Sequence, residues 1–79
     1  MYIVYILQSL NNGKTYTGFT KNMVQRLLEH NKGNVDATKN RRPLKILYTE
    51  EIANLADAKD RERYWKSGAG RRKIRKFFS

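Results

Sequence analysis

Seventy-nine residues with seventeen Lys and Arg against seven Asp and Glu give a formal net charge of +10. A chain of this length accommodates one domain with a thin core, so residues 1–79 are expected to form a single unit. The absence of cysteine excludes disulfides and thiolate metal sites, and the longest apolar run, Tyr2 to Leu7, falls far short of the roughly 20 residues of a membrane span.

Met1 to Gln8 reads as a strand, with β-branched Ile3 and Val4 between Tyr2 and Tyr5 and both faces largely apolar, as in a central strand. Asn11-Asn12-Gly13 is a turn signal, because Asn-Gly accepts the positive φ of a tight hairpin. Lys14 to Phe19 returns as the second strand. A helix is predicted over Asn22 to Gly33, capped by Asn22 with Gln25 three residues on and closed by Gly33. Asn34 to Pro43 is polar and reads as a loop, and Lys45 to Ile52 as a third strand. Asn54 caps a helix running to about Lys66, with Asp57 in its first turn. Ser67-Gly68 breaks it, and Gly70 to Phe77 forms a short basic helix or a frayed tail. The order β-β-α-β-α-α predicts an α+β fold, an α/β sandwich with a three-stranded antiparallel sheet flanked by helices.

The charge is uneven. Four basic residues precede position 36 and thirteen follow it. Lys66, Arg71, Arg72, Lys73, Arg75 and Lys76 form a run without an acid, which suits a phosphate backbone. A nucleic acid, DNA or RNA, is the expected partner, with no membrane and a cytoplasmic location.

Four features stand out for chemistry. Tyr5 and Tyr16 fall on neighbouring strands of the hairpin, where tyrosines also serve simply to cover a sheet. Gly18, inside a strand, marks either a close approach by another group or a strand end. Arg26 and His30 share one helical face. Arginine suits a phosphate oxygen and histidine a proton, although from the residues alone the favoured reading is a surface arginine and a helix-terminal histidine stabilised by the dipole. Glu62 follows Leu55 and Ala58 and precedes Trp65 at helical spacing, which puts a carboxylate on an inward stripe. Such a group needs either an ion-pair partner, Arg26 or a lysine, or a metal ion.

Together, Val4-Tyr5-Ile6, Tyr16-Thr17-Gly18, Arg26-Leu27-Leu28-Glu29-His30 and Arg61-Glu62 resemble the GIY-YIG nuclease superfamily, in particular its small stand-alone bacterial members. Thr38, Arg42-Pro43 and the Ala58 to Lys66 segment extend the likeness over most of the chain. The resemblance implies an endonuclease hydrolysing phosphodiester bonds in DNA, branched or damaged DNA included. It further implies dependence on Mg²⁺ or Mn²⁺. Tyr5 and Tyr16 would be the motif tyrosines, one of them assisting the attacking water, and Gly18 the motif glycine. Arg26 and His30 would act at the scissile phosphate and Glu62 would hold the metal. Val4 stands where the first motif has glycine and Thr17 where the second has isoleucine, and Ile74 falls near a position where some members carry asparagine. With no appended targeting domain in view, the resemblance leaves open a weakly specific enzyme, one directed by a targeting protein partner, or one nearly inactive. The alternative is a nucleic-acid-binding module that keeps the fold without turnover.

Overall fold

Three antiparallel strands, β1 (Tyr2–Ser9), β2 (Thr15–Thr20) and β3 (Leu44–Ile52), form one sheet in the order β2-β1-β3 in the computed structural model, which describes residues 1–78. The apolar character of β1 on both faces follows from this central place. Val4 and Ile6 point to one side and Tyr5 and Leu7 to the other, all at most 1% exposed. The hairpin closes as Asn12-Gly13 predicts, with Gly13 at φ +76°. Ser9 reinforces it: its Oγ accepts from the Asn11 and Asn12 amides and donates to the Arg41 carbonyl.

Helix α1 (Met23–Asn31) packs on one face and helices α2 (Leu55–Lys66) and α3 (Gly68–Phe78) on the other. Asn22 caps α1 by accepting from the Gln25 amide at 3.1 Å. At the other end the Asn34 amide donates to the Glu29 carbonyl and the Gly33 amide to that of His30, with Gly33 at φ +83°, the left-handed turn that glycine permits. Between α1 and β3 the chain makes one 3₁₀ turn, Lys39–Arg41, inside the predicted loop.

The core is split by the sheet. Val4, Ile6, Ala58, Trp65 and Ile74 fill the α2/α3 side, while Tyr5, Leu7 and Leu44 fill the α1 side with Tyr16, Met23 and Leu27 around them. Two expectations change. The C-terminal segment is a regular helix from Gly68, separated from α2 by Ser67 alone, because Gly70 packs against the backbone of Trp65 and lets the two helices meet closely. Leu55 is 39% exposed, so the inward stripe of α2 starts at Ala58.

An ion-pair cluster fixes α2 to the sheet. The guanidinium of Arg61 donates to both carboxylate oxygens of Glu50 on β3, at 2.7 and 3.0 Å. Trp65 Nε1 and the Tyr48 hydroxyl donate to the same carboxylate. Burial alone would push the Glu50 carboxyl up, but these hydrogen bonds outweigh it and hold it below the usual range. Arg61 and Glu62 are adjacent, so docking the first sets the position of the second. No helix among the described residues is long and apolar enough to cross a membrane.

Candidate active site

Strand pairing puts Tyr5 opposite Gly18 and Leu7 opposite Tyr16, so the two tyrosines are diagonal neighbours on the α1 face. Their ring centroids lie 6.4 Å apart. The glycine has a steric reason: a Cβ at Gly18 would stand 2.6 Å from the Tyr5 hydroxyl oxygen. The close approach is that of Tyr5 itself, lying across the neighbouring strand.

α1 brings Arg26 and His30 over this pair. His30 is fully buried, with both ring nitrogens engaged. Nε2 lies 3.0 Å from the Tyr5 hydroxyl and Nδ1 lies 2.7 Å from Thr38 Oγ1. Its ring makes edge contacts with Tyr5 and Tyr16 at 5.8 and 5.2 Å. Burial, and then the Arg26 charge, hold the imidazole below its ordinary pKa, so it is neutral at neutral pH. His30 does lie in the last turn of α1, but it is buried and neutral, so the alternative of a histidine stabilised there by the helix dipole does not describe it. Arg26 Nε donates to the Tyr5 oxygen at 3.4 Å, and Nη1 pairs with Glu29 at 3.1 Å. Burial raises the Tyr5 hydroxyl pKa, and the Arg26 hydrogen bond and charge only partly oppose it. At neutral pH Tyr5 is a phenol.

Glu62 approaches from α2. Its charge acts on Tyr5, raising the phenol further. Its carboxylate is 26% exposed and pairs with Lys66 at 3.7 Å, so the lysine, and not Arg26, is its ion-pair partner. The Lys66 ammonium in turn lies 6.0 Å from the Tyr16 ring centroid. Tyr5, Tyr16, Gly18, Arg26, His30, Glu62 and Lys66 thus converge.

The other basic positions divide around α3. Arg71 and Arg75 face the hairpin. Lys73 lies over the Tyr64 and Trp65 rings, Lys76 over Phe77, and Arg72 reaches back towards Gly68. They form two faces where a single stripe was expected. Thr38, buried against His30, is the member that sequence reading did not place in the site. It lies in an aperiodic polar loop whose return to α1 carries no local signal.

A metal at this site would have to accept few protein ligands. No group of three or more His, Cys, Asp or Glu side chains that could hold an ion occurs among the described residues. A single partly exposed carboxylate fits Mg²⁺ or Mn²⁺, which keep several waters, once it is released from Lys66, and does not suit tetrahedral zinc.

A hairpin carrying two tyrosines, a helix carrying arginine and histidine, and a second helix carrying glutamate define a known class. The chain belongs to the GIY-YIG nuclease family, whose catalytic domain matches residues 1–75. Its relatives are small bacterial proteins. It is 43% identical over 61 residues to a UPF0213 protein of Syntrophus aciditrophicus, covering 75% of this chain and 69% of the relative. It is 39% identical over 67 residues to one of Clostridium perfringens, covering 84% and 71%. A third, from Staphylococcus epidermidis, is 37% identical over 62 residues, covering 77% and 74%. No solved structure matches the chain.

Proposed function

We propose that the protein is a divalent-metal-dependent endonuclease that hydrolyses phosphodiester bonds in DNA. The observation that carries this reading is the Tyr5 oxygen, hydrogen-bonded at once to Arg26 and to a buried neutral histidine that Thr38 holds from behind. Hydrolysis needs a water aimed at phosphorus, a path for its proton and positive charge for the phosphate oxygens.

Arg26 Nε–H donates to the Tyr5 oxygen. The Tyr5 O–H then donates to His30 Nε2, and Nδ1–H donates to Thr38. In this arrangement the attacking water gives its proton to the Tyr5 oxygen as the Tyr5 proton passes to Nε2. Tyr5 starts and ends as a phenol, so its raised pKa is no obstacle. Within this relay the positive charge appears on the imidazole, where burial and Arg26 oppose it and the incoming phosphate, which takes up the balancing negative charge, offsets that opposition. Arg26, 35% exposed, turns its guanidinium to the phosphate and stabilises the charge developing on it. Glu62 would hold Mg²⁺ or Mn²⁺, releasing Lys66; the bound ion would supply Lewis-acid stabilisation of the phosphate and leaving oxygens.

Incubating the pure protein with supercoiled plasmid and branched DNA tests this. Nicking is expected with Mg²⁺ or Mn²⁺ and not in EDTA. Arg26→Ala should slow it by about 10²–10³-fold while its circular dichroism matches wild type, the cost of removing one charge-stabilising donor. Full activity in that variant would remove Arg26 from the site.

A further inference from the structure

The sheet face away from the tyrosines carries a second basic surface. A groove of about 620 Å³ runs between the hairpin turn and α3. Lys14, Arg41, Arg71 and Arg75 line it, no Asp or Glu does among the described residues, and Leu47, Ile74 and Phe78 supply its apolar wall. A smaller groove shares Thr15, Arg71 and Ile74 with it and continues along β2 to Tyr16 and Lys66. β2 is an edge strand, paired with β1 alone. The two grooves make one track, from the margin of the site, around the open sheet edge, to the opposite face.

We propose that this track seats a single-stranded stretch of nucleic acid, continuous with the strand held at the site; the proposal rests on the nuclease reading above. Lys14, Arg41 and Arg71, with no Asp or Glu among the described lining residues, select a polyanion. Leu47, Ile74 and Phe78 beside those cations offer an unpaired base an apolar and aromatic seat, the combination that marks single-strand grooves. The path excludes a duplex. It turns around the edge of a molecule only 17 Å deep along its shortest axis, whereas double-stranded DNA stays stiff over about 150 base pairs. An unpaired strand makes that turn freely. The substrate is then one in which a single strand leaves a duplex, or is single-stranded throughout.

Fluorescence anisotropy in EDTA, with a short fluorescein-labelled oligothymidylate and a duplex of equal length, tests the track without any cleavage. The single strand should bind the wild-type protein about tenfold or more tighter than the duplex. Phe78→Ala should weaken single-strand binding about tenfold, the loss of one base stack, and leave duplex binding unchanged. Phe78 also packs on Tyr48, so the variant can lose its fold. The charge reversal Lys14→Glu/Arg41→Glu, checked by circular dichroism, then decides. It should lower single-strand affinity more than tenfold and reduce the slope of log K against log salt by about 0.7 for each phosphate no longer neutralised. Equal affinity for both probes, or wild-type single-strand affinity in the charge-reversed protein, overturns the proposal. A wild-type protein that nicks plasmid but binds no single strand overturns the track alone. One that binds it through Lys14 and Arg41 yet never nicks overturns the nuclease reading alone.

Discussion

Tyr5 sits between an arginine that can only donate and a histidine that burial keeps neutral, and this pairing sets how the site responds to pH. The imidazole pKa lies below its ordinary value of about 6.5, so His30 remains a proton acceptor on descending through that value. The rate is therefore expected to hold from pH 7 to below 6.5 and to fall at lower pH, where an imidazolium can no longer accept from Tyr5. Stability follows the same sign. The unfolded chain takes up a proton near pH 6.5 while folded His30 does not, so its contribution is complete above that pH and declines as the pH falls. Thermal midpoints measured between pH 7 and 5 should drop in wild type and flatten in His30→Gln; parallel slopes would contradict the buried neutral histidine. Some of this was legible in the residues themselves. Tyr5, Tyr16, Arg26 and His30 could be gathered from their order along the chain. Neither the depth of His30 nor its hydrogen bond with Thr38 could be, because that bond spans eight residues through a loop with no periodicity.

The elements divide the work in a way that adjacent residues reveal best. Arg61 and Glu62 stand side by side on α2, yet one faces the Glu50 carboxylate of β3 and the other faces the tyrosines. Arg61 anchors the helix and Glu62 is aimed by it. Replacing Arg61 with alanine should cost about 1–3 kcal/mol in urea unfolding, since the half-buried Glu50 loses its two-pronged donor. Lysine should restore only part of this, having no planar fork. The cluster also adds acid lability. The Glu50 pKa is depressed, so its contribution is complete above about pH 4.3, and it is lost as the pH falls through the lowered folded value. An alanine variant as stable as wild type would mean that α2 is held by Ala58 and Trp65 alone. Helix and strand limits were readable wherever a local device marks them: Asn22, Asn12-Gly13, Gly33 and Asn54 all act as their residue types suggest. The start of α3 was not, because Gly68 reads as a breaker in sequence. Its first turn is held by packing on α2 and by the Ser67 hydroxyl, which accepts from the Gly70 amide.

On the scale of the whole molecule, part of the basic excess behind the charge of +10 gathers at two places on a thin molecule. Arg26 and Lys66 border the tyrosines, and Lys14, Arg41, Arg71 and Arg75 line the far groove. Composition shows the amount of charge and not this division, since the division depends on which way each turn of α3 faces. Phosphate contacts of this kind position a nucleic acid; they do not cleave it. In the proposed mechanism the distinction between grip and chemistry rests on Glu62, since the other acid near the tyrosines, Glu29, is paired with Arg26. Cleavage and binding should therefore separate at Glu62. The direct test is Glu62→Ala, assayed for Mg²⁺-dependent nicking and, in EDTA, for DNA affinity. Nicking is expected to vanish while affinity stays within a few-fold of wild type. Undiminished nicking, or equal loss of binding and nicking, would contradict the place given to Glu62 as the metal-holding residue of a nuclease.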